Sequence, residues 1–173
     1  MSRVVSQMLD AAELDTLVVD PGELADLRAA CAEVVESIAP LALKQEKSIG
    51  LSGTEDPVWI RGNADMVRRA VRNLVENALN HTPRGTDVEV IVDTAGAVSV
   101  IDHGRGIPTD DRERIFERFW RRRGKGAGGA GLGLSIVKRI VHAHGATLAV
   151  QNQPAGGAEF VMHFLRANLS ASD

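Results

Sequence analysis

A glycine-dense segment that runs directly into an apolar helix pattern constrains this chain more than any other feature. Residues 128–141 read G-G-A-G-L-G-L-S-I-V-K-R-I-V, with apolar residues at helical spacing after the last glycine. The segment predicts a loop that meets a helix N-terminus, where unpaired N–H groups and the positive dipole end suit a phosphate. The third glycine of G-x-G-x-x-G and the P-loop lysine are absent. A flexible connector before a core helix explains the glycines equally well.

Length and composition limit the class of protein. The 173 residues suffice for about one domain. With 44% hydrophobic but only 3% aromatic residues, the core must be built from Val, Leu, Ile and Ala. The formal net charge of −3 provides no general basic field, so we expect no nucleic-acid partner. No stretch approaches the roughly 20 apolar residues of a membrane span, so we expect the chain as given to be soluble.

The order of helix and strand patterns predicts the fold class. Helix patterns cover 23–39, 63–81 and 132–144, and strand patterns cover 48–52, 58–61, 87–93, 97–102, 147–151 and 158–165. Asn63 is the expected N-cap of the second helix, and Gly145 is the expected C-cap of the third. Each helix precedes two strands, which favours hairpins over βαβ units. The prediction is an α+β fold: a two-layer α/β sandwich with three main helices packed on one face of a mixed, mostly antiparallel sheet. Residues 104–129 are loop-rich, with a short helical piece over 112–119.

Polar residues share one face of the predicted helix over 63–81. Asn73, Asn77 and His81 are spaced i, i+4 and i+8. Asparagine is a poor helix former, so its repetition here needs a reason. An amide oxygen is a hard ligand that can complete a Mg²⁺ shell made otherwise of phosphate and water. A solvent-facing polar stripe is the alternative interpretation.

Two further segments carry residues that packing does not require. D-H-G-R-G-I-P, over 102–108, follows a strand pattern. Its carboxylate can accept a hydrogen bond from an exocyclic amine, and its glycines allow backbone to approach a flat ring; an Asx turn is the alternative. I-F-E-R-F-W-R, over 115–121, is either a minor core cluster or an anchor for a mobile loop. Its arginines offer charge to a polyphosphate.

Taken together, these segments resemble the ATP-binding catalytic domain of sensor histidine kinases, within the gyrase, heat-shock chaperone, histidine kinase and mismatch-repair ATPase superfamily. N-L-V-E-N-A-L-N-H-T-P looks like the N box, D-H-G-R-G-I-P like the first glycine box, and I-F-E-R-F-W-R like the F box. G-A-G-L-G-L-S-I-V-K looks like the second glycine box, and G-G-A-E-F like the closing glycine motif. The resemblance covers about residues 21–165 and implies the Bergerat ATP-binding fold.

The resemblance also implies roles for particular residues, with ATP and Mg²⁺ as the bound groups. Asn77 would be the Mg²⁺ ligand and a catalytic residue together with Arg121, a candidate for charge stabilisation at the γ-phosphate. Asp102 would bind the adenine amine. The other implied nucleotide-binding residues are Asn73, His81, Gly104, Gly106, Ile107, Arg118, Gly131, Leu132 and Gly133. Residues between Gly106 and Gly129 would form the ATP lid.

The chain departs from the family pattern at two positions. Asn80 stands where the family usually has Lys or Arg, which removes one phosphate contact. Ala130 stands where the second glycine box usually has Thr, which removes a hydroxyl. The lid is also short and glycine-rich for the family.

The resemblance implies a division of the chain and a set of partners. Residues 1–20 would be a remnant of the second dimerisation helix and its linker, 21–166 the catalytic domain, and 167–173 a disordered tail. None of the five histidines precedes an acidic residue as a phosphoacceptor would. We therefore expect the acceptor on a dimerisation domain of the same kinase, and a response regulator downstream. The full-length protein would be a homodimer anchored in a bacterial inner membrane, with this domain cytoplasmic and, as a fragment, monomeric.

Other functions within the superfamily stay open at this point. Relatives that hydrolyse ATP place a Glu one turn before the Mg²⁺-binding Asn, and this chain has Asn73 there, whose amide cannot take a proton. Glu76 points about 100° away from Asn77 round the helix. Phosphoryl transfer to histidine is therefore preferred over hydrolysis. A nucleotide-binding module without transfer activity, or a serine-directed anti-sigma kinase, would share the fold.

Overall fold

A computed structural model describes residues 18–20, 22–120 and 131–167. In chain order the elements are β1 (Leu24–Asp26), α1 (Leu27–Lys44), β2 (Ser48–Gly53), β3 (Trp59–Arg61), α2 (Ala64–His81), β4 (Asp87–Val92), β5 (Ala97–Ile101), α3 (Gly133–Ala143), β6 (Thr147–Asn152) and β7 (Ala158–His163). Two 3-10 turns, Thr109–Asp111 and Arg114–Phe116, lie between β5 and α3. The helical piece predicted over 112–119 is thus wrong in form, since Glu117 has extended backbone and ends the second turn.

The main sheet has five strands in the order β2-β4-β5-β7-β6. The β2–β4 pair is parallel, and the other three pairs are antiparallel. In the described part of the chain, α1 packs on β2 and β4, α2 on β4 and β5, and α3 on β6. Alternate residues of β4, from Val88 to Val92, are buried on this side while Asp87 and Glu89 face outward. The predicted two-layer α+β sandwich with a mixed, mostly antiparallel sheet is confirmed.

One connection differs from the predicted hairpins. β2 and β4 are parallel neighbours, and α2 crosses between them. β3, which precedes α2, leaves the main sheet and pairs instead with β1. A helix with a wide apolar face must pack on the sheet, and the strand that follows it can then return beside the earlier strand in the same direction.

The first predicted helix begins and ends later than expected. Residues 24–26 form β1 because they pair with β3, and the helix starts after them because Asp26 caps it: Asp26 Oδ1 accepts hydrogen bonds from Arg28 N (2.9 Å) and Val58 N (3.1 Å). The helix also continues through Pro40 to Lys44. Pro40 is exposed, so water can satisfy the carbonyl that the missing N–H leaves free, while buried Ile38 and Ala42 hold the helix on the core.

The ends of α2 and α3 follow the predicted capping chemistry. Asn63 Oδ1 accepts from Met66 N at 3.0 Å, which confirms Asn63 as the N-cap of α2. Gly145, just beyond α3, has φ +60°, as a glycine after a helix end commonly does. His144 joins the two helices, since its Nε2 accepts from Asn63 N at 3.1 Å and its Nδ1 lies 2.7 Å from Ile140 O.

The core is aliphatic, as the composition predicts. The side chains of Leu74, Ile140 and Val90 are fully buried, and Phe160 and Phe164 are each 1% exposed. Cys31 is buried on the core face of α1, and this burial raises the pKa of its thiol to about 12. Among the described helices, none combines the length and apolarity that a bilayer crossing needs.

Candidate functional site

The polar face of α2 forms the floor of the candidate site. Asn73 and Asn77 are half-buried, and His81, the last residue of α2, is exposed. Asn73 Nδ2 donates to Arg69 O at 2.8 Å, which orients the amide oxygen away from the helix backbone. No described residue forms a hydrogen bond with the Asn77 side chain. The Asn77 amide is therefore available to a ligand.

The N-terminus of α3 meets this floor at Asn73. A Cβ on Gly133, the first residue of α3, would lie 3.0 Å from Asn73 Oδ1. No described side chain caps α3, so among the described residues the N–H groups of its first turn have no side-chain acceptor. Leu132 is 1% exposed, and its carbonyl accepts from Ser135 Oγ (2.8 Å) and Ile136 N (3.0 Å). Its buried side chain thus anchors a helix N-terminus that can receive an anion.

Asp102 lies at the other end of the floor, just after β5. Its side chain is buried, with the residue 4% exposed. Oδ1 accepts from Gly104 N at 2.8 Å and from Ala158 N at 3.3 Å. No described group donates to Oδ2. One carboxylate oxygen is therefore fixed by backbone, and the other can accept a hydrogen bond from a ligand.

Close backbone contacts hold Asp102 beside α2. A Cβ on Gly104 would lie 2.6 Å from the carbonyl oxygen of His81, so this loop rests on the C-terminal end of α2. On the opposite side, a Cβ on Gly157 would overlap the Asp102 carbonyl oxygen. Gly157 was not among the predicted site residues, although the double glycine at 156–157 was a visible signal.

A side chain that the sequence analysis missed holds the next part of the loop. Asn152, the last residue of β6, accepts from Ile107 N at 2.8 Å and donates to Ile107 O at 2.9 Å. A Cβ on Gly106 would lie 2.9 Å from Asn152 Oδ1. Nothing in the local sequence marks Asn152, because only the fold brings residue 152 to residue 107.

The aromatic segment is part of the core and also fixes a junction. Phe116 packs edge-to-face on Phe160, with ring centroids 6.3 Å apart, and Ile115 is buried. Phe119 N donates to Gly131 O at 2.9 Å, and we call this pair the neck. The neck joins the two points at which the chain enters and leaves residues 120–130. The core-cluster interpretation of the segment is thus supported, and the loop that it was expected to anchor lies outside the described residues.

Of the two predicted arginines, one lies among the described residues. Arg118 is exposed and immediately precedes the neck. Arg121 lies outside the described residues, as do Ala130 and residues 1–17 of the expected dimerisation-helix remnant.

His103 has a separate environment on the outer face of the sheet. Its Nε2 lies 3.7 Å from Asp87 Oδ1 and 3.8 Å from Glu89 Oε1. Within the described ranges, these three side chains are the one group with metal-ligating chemistry at close range. All are partly exposed, and surface ion pairs of this kind contribute roughly 1 kcal/mol or less.

The structure therefore brings most of the predicted residues together along α2. Asp102 and Gly104 lie at its C-terminal end, Gly133 lies beside Asn73, and Asn77 stands between them. Asn73 and His81 are eight residues apart, which is about 12 Å along a helix. The arrangement suits an elongated ligand with an amine at one end and anionic groups at the other.

Comparison with known proteins places the sequence among sensor kinases. The family model described as "Histidine kinase-, DNA gyrase B-, and HSP90-like ATPase" matches residues 62–168. The chain is 36% identical to the sensor protein IrlS of Burkholderia pseudomallei over 174 residues, which cover 95% of this chain and 36% of IrlS. It is 33% identical to the sensor protein DivL of Caulobacter vibrioides, covering 94% of this chain and 21% of DivL. The chain thus spans about a third or less of these relatives.

Solved structures share the fold. The mycobacterial sensor histidine kinase MprB superposes with a TM-score of 0.74 at 29% identity, covering 83% of this chain and 97% of that one. Full-length ShkA, solved in complex with AMPPNP, superposes with a TM-score of 0.79 at 28% identity, covering 97% of this chain and 36% of ShkA.

Proposed function

The chain belongs to the family of histidine kinase-, DNA gyrase B- and HSP90-like ATPases, and we propose that it is the ATP-binding catalytic domain of a sensor histidine kinase. The reaction is transfer of the γ-phosphoryl group of ATP to a histidine on a separate helical segment. One observation carries this proposal. Within the described residues, a buried carboxylate with one oxygen that accepts no hydrogen bond and a helix N-terminus without a side-chain cap lie at the two ends of an asparagine-bearing helix face.

Asp102 is the proposed base-recognition residue. Its Oδ2 accepts the exocyclic amine of adenine, while Gly104 and Gly106 bring backbone close to the ring. A guanine would turn a carbonyl oxygen toward the buried carboxylate, and two acceptors cannot form a hydrogen bond. Because Asp102 is only 4% exposed, water cannot easily relieve that mismatch, so the pocket favours adenine.

The phosphates are proposed to bind at the N-terminus of α3. The backbone of Gly131, Leu132 and Gly133 supplies N–H groups there, and the helix dipole favours negative charge. The amide oxygen of Asn73 lies next to Gly133 at this helix N-terminus. His81, Arg118 and Arg121 are the proposed sources of further contacts to ribose and phosphate, with Arg121 as the charge partner of the γ-phosphate.

Mg²⁺ fits the residues that remain. The Asn77 side chain has no hydrogen-bond partner among the described residues, and its amide oxygen is a ligand that Mg²⁺ accepts. Asn77 would hold the ion together with phosphate oxygens and water. When bound, Mg²⁺ neutralises charge on the phosphate groups.

Transfer to histidine fits the site better than hydrolysis. A water nucleophile needs a base near the Mg²⁺ ligand, and the residue one turn before Asn77 is Asn73, an amide. An imidazole needs no base from this domain, since its nitrogen lone pair attacks the γ-phosphorus directly. The N–P bond forms as the bond to the β–γ bridging oxygen breaks, ADP leaves, and the imidazole proton passes to solvent.

The partners follow from this reaction. The acceptor histidine lies on the dimerisation domain of the same kinase, and a response regulator receives the phosphoryl group afterwards. We further propose that the full-length protein is a membrane-anchored homodimer whose catalytic domain faces the cytoplasm, where ATP is available. The names of the relatives as sensor proteins, and their greater length, support this proposal.

The test is phosphoryl transfer in a mixture. The domain, a fragment carrying the dimerisation hairpin, and γ-labelled ATP with Mg²⁺ should place acid-labile label on the hairpin. Asn77→Ala should lose Mg²⁺-dependent nucleotide affinity, and Asp102→Asn should lose its preference for ATP over GTP, each by at least about tenfold. Tight ATP binding without labelled histidine would favour the module without transfer activity. Unchanged binding in both variants would overturn the site.

A further inference from the structure

The hairpin formed by β6 and β7 grips the proposed base pocket at two separate points. The first is Asp102, whose backbone N donates to Ala158 O at 2.9 Å and whose Oδ1 accepts from Ala158 N. The second is Ile107, which Asn152 binds through both its N–H and its carbonyl. The loop between these points, residues 103–106, contains no helix or strand. The hairpin therefore fixes both ends of this loop, while Gly104 in its middle rests on the C-terminal end of α2.

The Asn152 side chain makes the same pair of hydrogen bonds to Ile107 that a residue of a neighbouring strand would make through its backbone. A carboxamide presents one acceptor and one donor side by side, as a peptide group of a neighbouring strand would. Replacement by a hydroxyl or a carboxylate cannot reproduce both bonds to one residue at neutral pH. The close approach of Gly106 to Asn152 Oδ1, where a Cβ would lie at 2.9 Å, leaves little room for another arrangement.

Ile107 transmits this contact into the site. Its side chain packs against the hydrophobic core, and the chain then continues through the two 3-10 turns to the neck. Asn152 itself is exposed, so water can replace its two hydrogen bonds, and they contribute little to global stability. The Asn152–Ile107 contact therefore contributes little to stability, but it holds the ligand-facing loop in place before the ligand binds.

We infer that Asn152 is a positioning residue for nucleotide binding, which acts by fixing the Gly106–Ile107 backbone at the base end of the pocket. This inference rests on the proposed function, because it assumes that the base binds beside Asp102. Asn152 touches no reacting atom, so its loss should weaken the binding of ATP and leave the transfer step intact.

Gln151 offers a matched control. It precedes Asn152 on the same strand, it is exposed, and its Nε2 donates to Glu159 on the neighbouring strand. Gln151→Ala and Asn152→Ala thus each remove exposed side-chain hydrogen bonds from one hairpin, but no hydrogen bond joins the Gln151 side chain to a described residue of the loop.

The experiment measures ATP affinity by calorimetry, Tm, and amide hydrogen exchange at Ile107 for wild type and both variants. Asn152→Ala should weaken ATP binding about tenfold and speed exchange at Ile107, with a Tm change of less than about 4 °C that Gln151→Ala shares. Asn152→Asp, which keeps only the acceptor, should also bind ATP more weakly than wild type. In the transfer assay, Asn152→Ala should raise KM for ATP and leave kcat unchanged.

The outcomes separate the two levels of inference. If wild type binds ATP and Asn152→Ala binds it as tightly as Gln151→Ala does, the positioning role is wrong and the proposed function stands. A fall in kcat at saturating ATP would likewise overturn the positioning role. If wild type binds no ATP, the proposed function fails and this inference fails with it.

Discussion

The two ends of the candidate site are held in different ways. At the base end, Asp102 and Ile107 are bound by backbone and side-chain hydrogen bonds from the β6–β7 hairpin. At the phosphate end, the described contacts are the neck and the approach of Gly133 to Asn73. The base end is therefore part of the sheet, whereas the phosphate end is the start of a helix. Substitutions at the buried backbone contacts of the base end should accordingly damage fold and binding together, whereas substitutions at exposed Asn152 and at the phosphate end should affect binding alone.

The largest effect should come from Gly157→Ala, at the base end. A Cβ there would overlap the Asp102 carbonyl oxygen, and φ is +96°. The variant should lose ATP binding and at least about 3 kcal/mol of stability, from steric overlap and left-handed strain together. Gly156→Ala is the matched control, since its φ is +97° but its Cβ would lie no closer than 3.8 Å to Gly104 O. Chemical denaturation measures both, and equal losses in the two variants would contradict the overlap.

Gly133→Ala tests the phosphate end. A Cβ would press on Asn73 Oδ1, which lies 3.0 Å away at the end of a side chain that can turn. Because alanine is the better helix former by about 1 kcal/mol, stability should hold or rise slightly. ATP affinity should nevertheless fall about tenfold, since Asn73 is displaced and the helix N-terminus is obstructed. If Gly133→Ala lowers both stability and ATP affinity, the proposed difference between the two ends of the site is wrong.

The effect that is smallest near neutral pH, on the core that both ends share, concerns Cys31. Burial raises the pKa of its thiol from 9.0 to about 12, so the folded state holds the proton more tightly than the unfolded state. This contribution to stability is complete below pH 9.0 and is lost as the pH rises from there toward 12. In Cys31→Ala, the unfolding free energy should fall less steeply over that pH range than it does in wild type. Urea denaturation of both proteins measures this difference. A parallel fall in both would show that other groups cause it.

Cys31 also reports which end of the site has been damaged. Its buried thiol should react with a thiol reagent only when the core opens. Gly157→Ala should therefore speed the labelling of Cys31, and Gly133→Ala should not. Equal labelling rates would mean that the two ends are coupled to the core alike.

Local features of the sequence predicted much of the fold. Asn63 and Gly145 mark helix ends because a cap is formed within a few residues of its own position. The apolar stripe of α2 and the alternation of β4 likewise depend only on nearby spacing. These elements, and the sandwich that they form, follow from capping residues and from the spacing of apolar residues along the chain.

Features that depend on distant contacts were not predictable. β1 exists because Leu24 and its neighbours pair with residues about 35 positions away, so a helix was the natural local interpretation. A proline ends most helices, but α1 continues past Pro40 because buried Ala42 packs in the core. Asn152 and Gly157 reach the site only because β6 and β7 lie beside β5.

The neck has a consequence for how this domain can vary. Because Phe119 N and Gly131 O are already joined, the ends of the intervening chain stay at a fixed separation whatever its length. Closing such a loop becomes more costly only with the logarithm of its length, by about 0.6 kcal/mol for each doubling. Residues 120–130 can therefore be replaced by a longer or differently charged segment at little cost in stability. The neck thus lets the length and charge of this stretch differ between related chains without a change in the sandwich that the described residues form.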